Sequence, residues 1–317
     1  MLKVGVIGLG DIAGKAYLPV LSSREGIELH LMSRNAVRLK ELGGKFRIEN
    51  LHASLKSLIH SGISAAFVHA ATLAHFEIVK VLLEHRIHVF VDKPVTLDYP
   101  SVKVLVDLAA REKRILMVGF NRRYAPVYQK LKELPEPSMI LMQKNRQALP
   151  CQLRTFIFDD FIHVVDTLRY LFPYPIDRLL ATGLKKNGLL YQVVIQFFSA
   201  NGATAIGIMN RDGGTTEEKV EIFNPNEKRV VSNVSELTIQ KDGNTSRMGS
   251  SDWEPTLQKR GFFQMVDDFI LAVQTGKNPK ITAEDALKTH ELCERIVEML
   301  ESDESGGVNV HPVAFNG

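Results

Sequence analysis

The sequence predicts an α/β protein built in two regions. Residues 1–120 are expected to form a parallel sheet with helices on both faces, and residues 121–317 an α/β region whose sheet is mainly antiparallel. Three observations carry this. Short apolar runs alternate with helical stretches as far as Phe120, a glycine-rich turn follows the first of those runs, and turn residues divide a cluster of strand runs between Arg178 and Gln240.

In chain order, "KVGVIGLG" is a strand ending in glycines, followed by a helical stretch through "AYLPVL". "IELHLMSR" and "AAFVHAAT" are further strands, the latter leading into the helix "AHFEIVKVLLEHR". "IHVFVDKP" is a strand stopped by proline, and the helix "YPSVKVLVDLAAREK" precedes a last strand, "RILMVGFN". Strands alternating with helices in this way form parallel sheets. Past Phe120 the pattern changes. A helix in "APVYQKLKEL" ends at "PEP", and residues 160–171 again have helical spacing. The strand runs that follow are separated by "NG", "ANG", "DGG" and "NPNE", turn signals of antiparallel neighbours. Two amphipathic helices close the chain, the second N-capped by Thr282, before a polar, Gly-rich tail from Ser302.

Composition excludes several classes. A net charge of +3 with no dense basic run argues against nucleic acid as a partner. No apolar run reaches the ~18 residues a membrane span needs, and no signal peptide is expected before the first strand. Two cysteines form neither a disulfide framework nor a metal pattern, which fits a reducing, cytoplasmic location.

"VGVIGLGDIAGKAYLPVL" contains Gly8, Gly10 and Ala13, the G-x-G-x-x-A form of the dinucleotide fingerprint. Gly8 permits the tight turn, and Gly10 lets the backbone approach a pyrophosphate. Ala13 keeps the helix near the strand, and the backbone N–H groups around Asp11, Ile12 and Ala13 face the anion. At the end of the second strand, where an NAD site usually places a carboxylate for the ribose 2′-OH, stand Ser33, Arg34 and Asn35, with Arg38 one turn later. A hydroxyl and a cation suit a 2′-phosphate, so NADP is expected over NAD.

One further stretch, "FIFDDFIHVVDTLRY", places Asp159, His163 and Asp166 close to one helical face. Spacing alone leaves a metal site, an acid/base site and a hydrogen-bonded core histidine all open.

Four segments together resemble the Gfo/Idh/MocA oxidoreductase family over nearly the whole chain: "GVIGLGDIAGKAYLPVL", "AAFVHAATLAHFEIVKVLLEHRIHVFVDKPV", "LMVGFNRRYAP" and "DDFIHVVDTLRYL". "HVVDT" and "KRGFF" are similar to segments of its MviM group. The resemblance implies an N-terminal Rossmann domain, doubly wound, at 1–120. It also implies a C-terminal α/β domain at 121–317 whose open, mainly antiparallel sheet joins copies into a dimer or tetramer. Lys93 of "DKP" would stand beside the nicotinamide and the reacting carbon. Asp159 and His163 fall on the family's D-x-x-x-H, and Asp166 on the aspartate that follows. Thr72 and His75 fall in the segment below the cofactor. Asn121 and Arg122 follow the last Rossmann strand, with Arg122 facing substrate or nicotinamide.

Two departures are visible. The family's T-P-N is Ala70, Ala71 and Thr72, and its glycines near the D-x-x-x-H are Thr155, Phe156 and Phe161, implying a bulkier, more aromatic substrate wall. The chemistry implied is hydride transfer between a nicotinamide and a CH–OH/C=O group of a small sugar- or polyol-like compound, without a metal. Lys93 and His163 would handle proton and alkoxide charge, with Asp159 orienting the histidine. Lys144 and Arg146 are candidates for an anionic substrate group, Asp166 for a buttress, and Asp160 is expected to be solvated. The rival readings are a C=N or C=C reductase and a non-catalytic NADP-binding sensor.

Overall fold

The computed structural model describes residues 1–249, 251, 253–302 and 310–312, and these divide into two units. The first comprises Met1–Phe120 and Phe262–His290; the second comprises Asn121–Gly261 and the chain from Glu291 on.

In the first unit six strands run β1 (Leu2–Ile7), β2 (Ile27–Met32), β3 (Asn50–His52), β4 (Ala65–Val68), β5 (His88–Val91) and β6 (Leu116–Val118). They form one parallel sheet in the order β3-β2-β1-β4-β5-β6. Val4, Val6, Ala65 to Val68 and Val89 to Val91 are all buried, as continuous apolar runs covered on both faces must be. The order reverses between β1 and β4, the point where open α/β sheets leave a crevice beyond their strand ends. Polar β3, at the sheet edge, carries no apolar signal and was not expected.

Side chains close the helix starts: Asn35 accepts from Arg38 N, Ser54 from Ser57 N, Asp98 from Ser101 N, and Thr282 from Asp285 N. The helix Phe262–Thr275 belongs to this unit although it follows the second region in sequence. Its aromatic face supplies the reason. Phe269 packs on Phe67 and Phe90 at ring-centroid distances of 5.1 and 5.7 Å, and Phe262 meets Tyr17 edge-on at 5.4 Å.

The second unit carries a nine-stranded sheet. Its members are β7 (Met139–Asn145), β8 (Arg178–Lys186), β9 (Leu189–Phe198), β10 (Thr204–Asn210), β11 (Glu217–Phe223), β12 (Glu227–Ser232), β13 (Glu236–Lys241), β14 (Asn244–Met248) and β15 (Val310–Pro312). The order is β14-β13-β12-β11-β7-β10-β9-β8-β15, and every pair is antiparallel except β7 with β10. Asn187-Gly188 and Asp242-Gly243 turn two of its hairpins with φ of 51° and 75°, and 49° and 74°, the left-handed pair a two-residue hairpin turn requires.

One face of this sheet is covered by the helix Ile162–Leu171. Gly207 on β10 makes the close approach possible, since a Cβ there would lie 2.8 Å from both Val164 and Leu168 side chains. The opposite face presents Leu141, Val194, Ile206 and Ile208, all part-exposed or exposed. The tail from Ser302, apart from Val310–Pro312, lies outside the described residues beyond that serine.

Candidate active site

In the first unit, the glycine turn leaves β1 at Gly8, whose φ is +84°. A Cβ there would sit 2.4 Å from the backbone nitrogen of Ala70, so only glycine fits between β1 and the loop after β4. At Gly10 a Cβ would meet nothing within 4 Å, leaving the backbone open to a ligand. Ala13 is fully buried, and the following turns are wound as a π-helix (Ala13–Tyr17) before the α-helix Leu18–Leu21. Ile12 is exposed, and Asp11 pairs with Lys15 at 2.7 Å on the surface.

Beside this turn is a cleft of about 710 Å³ lined by Gly8, Ser33, Arg34, Asn35, Ser54, Leu55, Ala70, Ala71 and Ala74, with Glu77 and Ile78 on the next helix. No carboxylate follows β2; Ser33 and Arg34 stand there instead. A dinucleotide therefore fits the residues present. Arg38 does not extend the cationic set, because its Nε donates to Leu9 O at 3.1 Å and its Nη1 to Glu41 at 2.8 Å. It ties the glycine turn to the helix Ala36–Phe46.

Thr72 begins the helix Thr72–Glu84, with Ala71 as its N-cap residue. His75 departs from its expected cofactor role. It is buried, with Nδ1 3.0 Å from Pro94 O and Nε2 2.9 Å from Ala70 O, so it fastens the loops after β4 and β5 to each other.

Lys93 follows β5, and its neighbour Asp92 accepts hydrogen bonds from Tyr17 Oη at 2.6 Å and from His69 Nδ1 at 2.7 Å. Tyr17 also stacks on the His69 ring at 3.9 Å. Burial works to raise the Asp92 carboxyl, but His69, the Tyr17 hydroxyl and Lys93 together hold it below its ordinary range. The same burial, with Asp92 alongside, raises the Tyr17 phenol well above its ordinary value. The anionic Asp92 thus sits next to Lys93 in the chain, fixed from two sides.

In the second unit, the "FIFDDFIHVVDTLRY" stretch is a π-helix over Phe156–Phe161 followed by the α-helix Ile162–Leu171. Its carboxylates are arranged differently from expectation. Asp160, expected in solvent, is buried, accepting from Lys144 Nζ at 2.6 Å and from Arg146 Nε and Nη2 at 3.0 and 3.1 Å. Asp159 is the exposed one. Lys144 and Arg146 are therefore engaged within the protein rather than set out for a substrate anion. Burial and the Arg122 charge pull the Lys144 ammonium down to about 7, against the opposing pull of Asp160. Burial would raise Asp160, yet Lys144 and Arg146 hold it far below the usual carboxylate range.

Arg122 and Arg123, on the 3₁₀ turn Asn121–Tyr124, serve two different partners. Arg123 forms a buried two-bond pair with Asp166 at 2.6 and 2.9 Å, so Asp166 is taken up there. Arg122 forms a similar fork with Glu218 of β11 at 2.6 and 2.7 Å, and its Nη1 lies 2.7 Å from His163 Nδ1. Tyr128 Oη donates to the same Glu218 at 2.6 Å. Burial disfavours the Glu218 carboxylate, but Arg122, Lys144 and Tyr128 bring it down to about 2. Asn121 donates to Arg260 O at 2.9 Å and accepts from Arg122.

Two further expectations change. Phe156 and Phe161 are fully buried, so they pack the interior and do not face a substrate. Glu218, Tyr128, Asp160 and Tyr17 were missed as site components. The inward-facing phase of Glu218 on β11 was the one available signal, since "EEKVEIF" alternates a carboxylate with Val220 and Ile222 on the buried face. Among the described residues no group of three or more His, Cys, Asp or Glu side chains could hold a metal ion.

A parallel sheet with a glycine turn at its switch point, a cleft beside it and a lysine after β5 defines a dinucleotide-binding oxidoreductase. Residues 2–120 match the oxidoreductase family with an NAD-binding Rossmann fold, and residues 126–242 match the YceM-like C-terminal domain. The chain is 33% identical over 306 residues to the protein named "Putative oxidoreductase YceM" of Salmonella typhimurium, covering 95% of this chain and 98% of that one. It is 26% identical over 307 residues to myo-inositol 2-dehydrogenase of Thermotoga maritima, covering 90% and 92%. The crystal structure of a dehydrogenase (MviM) from Clostridium difficile superposes with a TM-score of 0.90 at 31% identity, covering 94% and 99%. The chain belongs to the Gfo/Idh/MocA oxidoreductase family. No helix among the described residues is long and apolar enough to cross a membrane.

Proposed function

We propose that this protein is an NADP-dependent oxidoreductase acting on a CH–OH/C=O group of a small polar compound of the polyol or sugar type. The observation that carries the cofactor reading is the cleft beside Gly8, where Ser33 and Arg34 follow β2 and no carboxylate does. A charge-assisted hydrogen bond from Arg34 to a 2′-phosphate contributes about 1.5–3 kcal/mol, a preference of tenfold or more. The substrate class is supported by the relatives, one of them named a myo-inositol 2-dehydrogenase.

The nicotinamide, when bound, supplies the hydride acceptor or donor. Gly8 and Gly10 give the pyrophosphate its approach, and Arg34 selects the 2′-phosphate. In alcohol oxidation, the hydroxyl proton has to leave as the C–H bond breaks, and Lys93 is the residue assigned to take it. In the second unit, His163, with Asp159 as its support, is the residue assigned to hydrogen-bond an alcohol or carbonyl oxygen of the substrate. Copies of the chain associate through the open sheet face carrying Leu141, Val194, Ile206 and Ile208. Cys151 and Cys293 are free thiols, in keeping with a cytoplasmic site of action.

Calorimetric titration with NADPH and NADH, on the native protein and on Arg34→Ala, tests the cofactor assignment. NADPH should bind at least about tenfold tighter, and the substitution should remove most of that difference. Equal affinities, unchanged by Arg34→Ala, would refute it. Turnover against a panel of polyols, sugars and keto-sugars tests the reaction. Tight cofactor binding with no turnover of any member would favour a sensor.

A further inference from the structure

We propose that Tyr17 and His69 are positioning residues: by holding the Asp92 carboxylate between them, they set where Lys93 stands against the nicotinamide. The inference rests on the assignment of Lys93 to the reacting oxygen, and it deepens that reading. Every residue it uses belongs to the first unit.

The arrangement begins with the backbone that leaves the glycine turn. Leu18 N–H bonds to Ala13 O, five residues back, where an α-helix reaches back four. Such single π turns recur at functional sites. The wider turn changes the direction in which Tyr17 leaves the helix, and its Oη donates to Asp92 Oδ1 at 2.6 Å. From the end of β4, His69 Nδ1 lies 2.7 Å from Asp92 Oδ2. Each carboxylate oxygen therefore has its own donor.

His69 shows what the arrangement is kept for. Burial works against the ionised Asp92, and His69, Tyr17 and Lys93 hold it in that form. Donation from Nδ1 to the carboxylate leaves Nε2 of a neutral His69 as a lone pair. That nitrogen is buried and has no partner. The side chain is fully enclosed and Tyr17 stacks on it at 3.9 Å, so the ring has no room to turn toward one. A buried polar atom left unpaired is uncommon and calls for a reason. Here the ring serves the carboxylate at its other nitrogen.

Gly119, just past β6, closes the set. A Cβ there would lie 3.0 Å from Tyr17 Oη and 3.2 Å from Asp92 Oδ1, so the missing side chain leaves room for their bond. On the other side of Lys93, Pro94 O lies 3.0 Å from His75 Nδ1. Lys93 thus stands in the chain between two anchored residues. One anchor, Tyr17, belongs to the segment that leaves the glycine turn, so the lysine and the pyrophosphate assigned to that turn share one support. Misplacing a reacting group by about 1 Å can cost roughly a hundredfold in rate. Loss of either donor to Asp92 should therefore slow the reaction without loosening the cofactor.

Steady-state kinetics on any panel compound that is turned over, beside calorimetric NADPH binding, test this. Tyr17→Phe keeps the ring and removes the hydroxyl. His69→Leu removes the other donor, and His69→Asn keeps one near the place of Nδ1. We expect Tyr17→Phe and His69→Leu each to lower kcat by about tenfold or more, with NADPH affinity within about threefold. His69→Asn should recover part of the loss. In a Lys93→Met background Tyr17→Phe should lower kcat no further, a result that a general loss of packing would not produce. An unchanged kcat in either Tyr17→Phe or His69→Leu, or a fully additive loss on top of Lys93→Met, would overturn the inference. If the native protein turns over no compound, the assigned reaction is at fault, and crystals of the native and Tyr17→Phe proteins with NADP test the positioning alone. Displacement of Lys93 Nζ by about 1 Å or more in Tyr17→Phe would support it, and an unmoved Lys93 would overturn it.

Discussion

Replacing Asp160 by Asn should destabilise the second unit in a way that depends on pH. Asp160 accepts from Lys144 and Arg146, and Lys144 is almost fully enclosed while Arg146 is a third exposed. The native Lys144 ammonium sits at about 7, well below its unfolded value of 10.5. At pH 6 the native protein therefore keeps its proton on Lys144, and binding that proton below its folded pKa is worth roughly 1–2 kcal/mol. Without Asp160 the ammonium is disfavoured further, since Asp160 is the larger of the two charges, with Glu218, that oppose burial and Arg122 there. The Arg146 bonds add roughly 1–2 kcal/mol after discounting for exposure. The sum is about 3 kcal/mol at pH 6, or roughly 6–12 °C in Tm for a domain of this size. At pH 9 Lys144 is already neutral in the native protein, so the cost should shrink by roughly 1–2 kcal/mol. Urea unfolding followed by far-UV circular dichroism is the assay, because Trp253, the one tryptophan, is 94% exposed and a poor reporter. A loss under about 1 kcal/mol at pH 6, or one equal at both pH values, would refute the reasoning.

Other outcomes follow from the same geometry. Gly8→Ala places a Cβ 2.4 Å from Ala70 N at a φ of +84°. Cofactor affinity should fall by about a hundredfold or more, with a loss of roughly 2 kcal/mol in stability, and calorimetry beside thermal melting would detect both. Arg34→Ala should weaken NADPH binding by about tenfold while leaving NADH binding within about twofold. Acid should unfold the protein through carboxylates whose folded pKa values are depressed. Asp92, Asp160 and Glu218 stabilise it fully above their unfolded values near 3.8 and 4.5, and that contribution is lost as pH falls through the folded values, about 2 for Glu218. Glu218→Gln should flatten the acid limb of the Tm–pH curve; an unchanged limb would show that Glu218 does not carry it.

The first unit was largely legible from sequence because its signals are local. Apolar runs gave the five buried strands, Gly8 and Gly10 the turn, and Thr282 the cap. What local signals missed was decided by residues far apart in the chain. Whether Asp159 or Asp160 is buried depends on Lys144 on β7 and Arg146 just past its end, which lie 16 and 14 residues away. Glu218 meets Arg122 across 96 residues, a pairing set by strand register and invisible to helical spacing. The helix Phe262–Thr275 joins the first unit through aromatic packing, against sequence order. Phe156 and Phe161, expected from the resemblance to form a substrate wall, are fully buried and pack the interior.

The most direct test of the central claim is steady-state nicotinamide absorbance with NADP or NADPH on a polyol, sugar and keto-sugar panel, comparing native protein with Lys93→Met. We expect at least one member to be turned over by the native protein and the variant to lose about a hundredfold or more in kcat. NADPH affinity should stay within about threefold, since Lys93 is assigned to the reacting oxygen and Arg34 to the 2′-phosphate. Turnover that persists in Lys93→Met and again in His163→Ala would contradict the account.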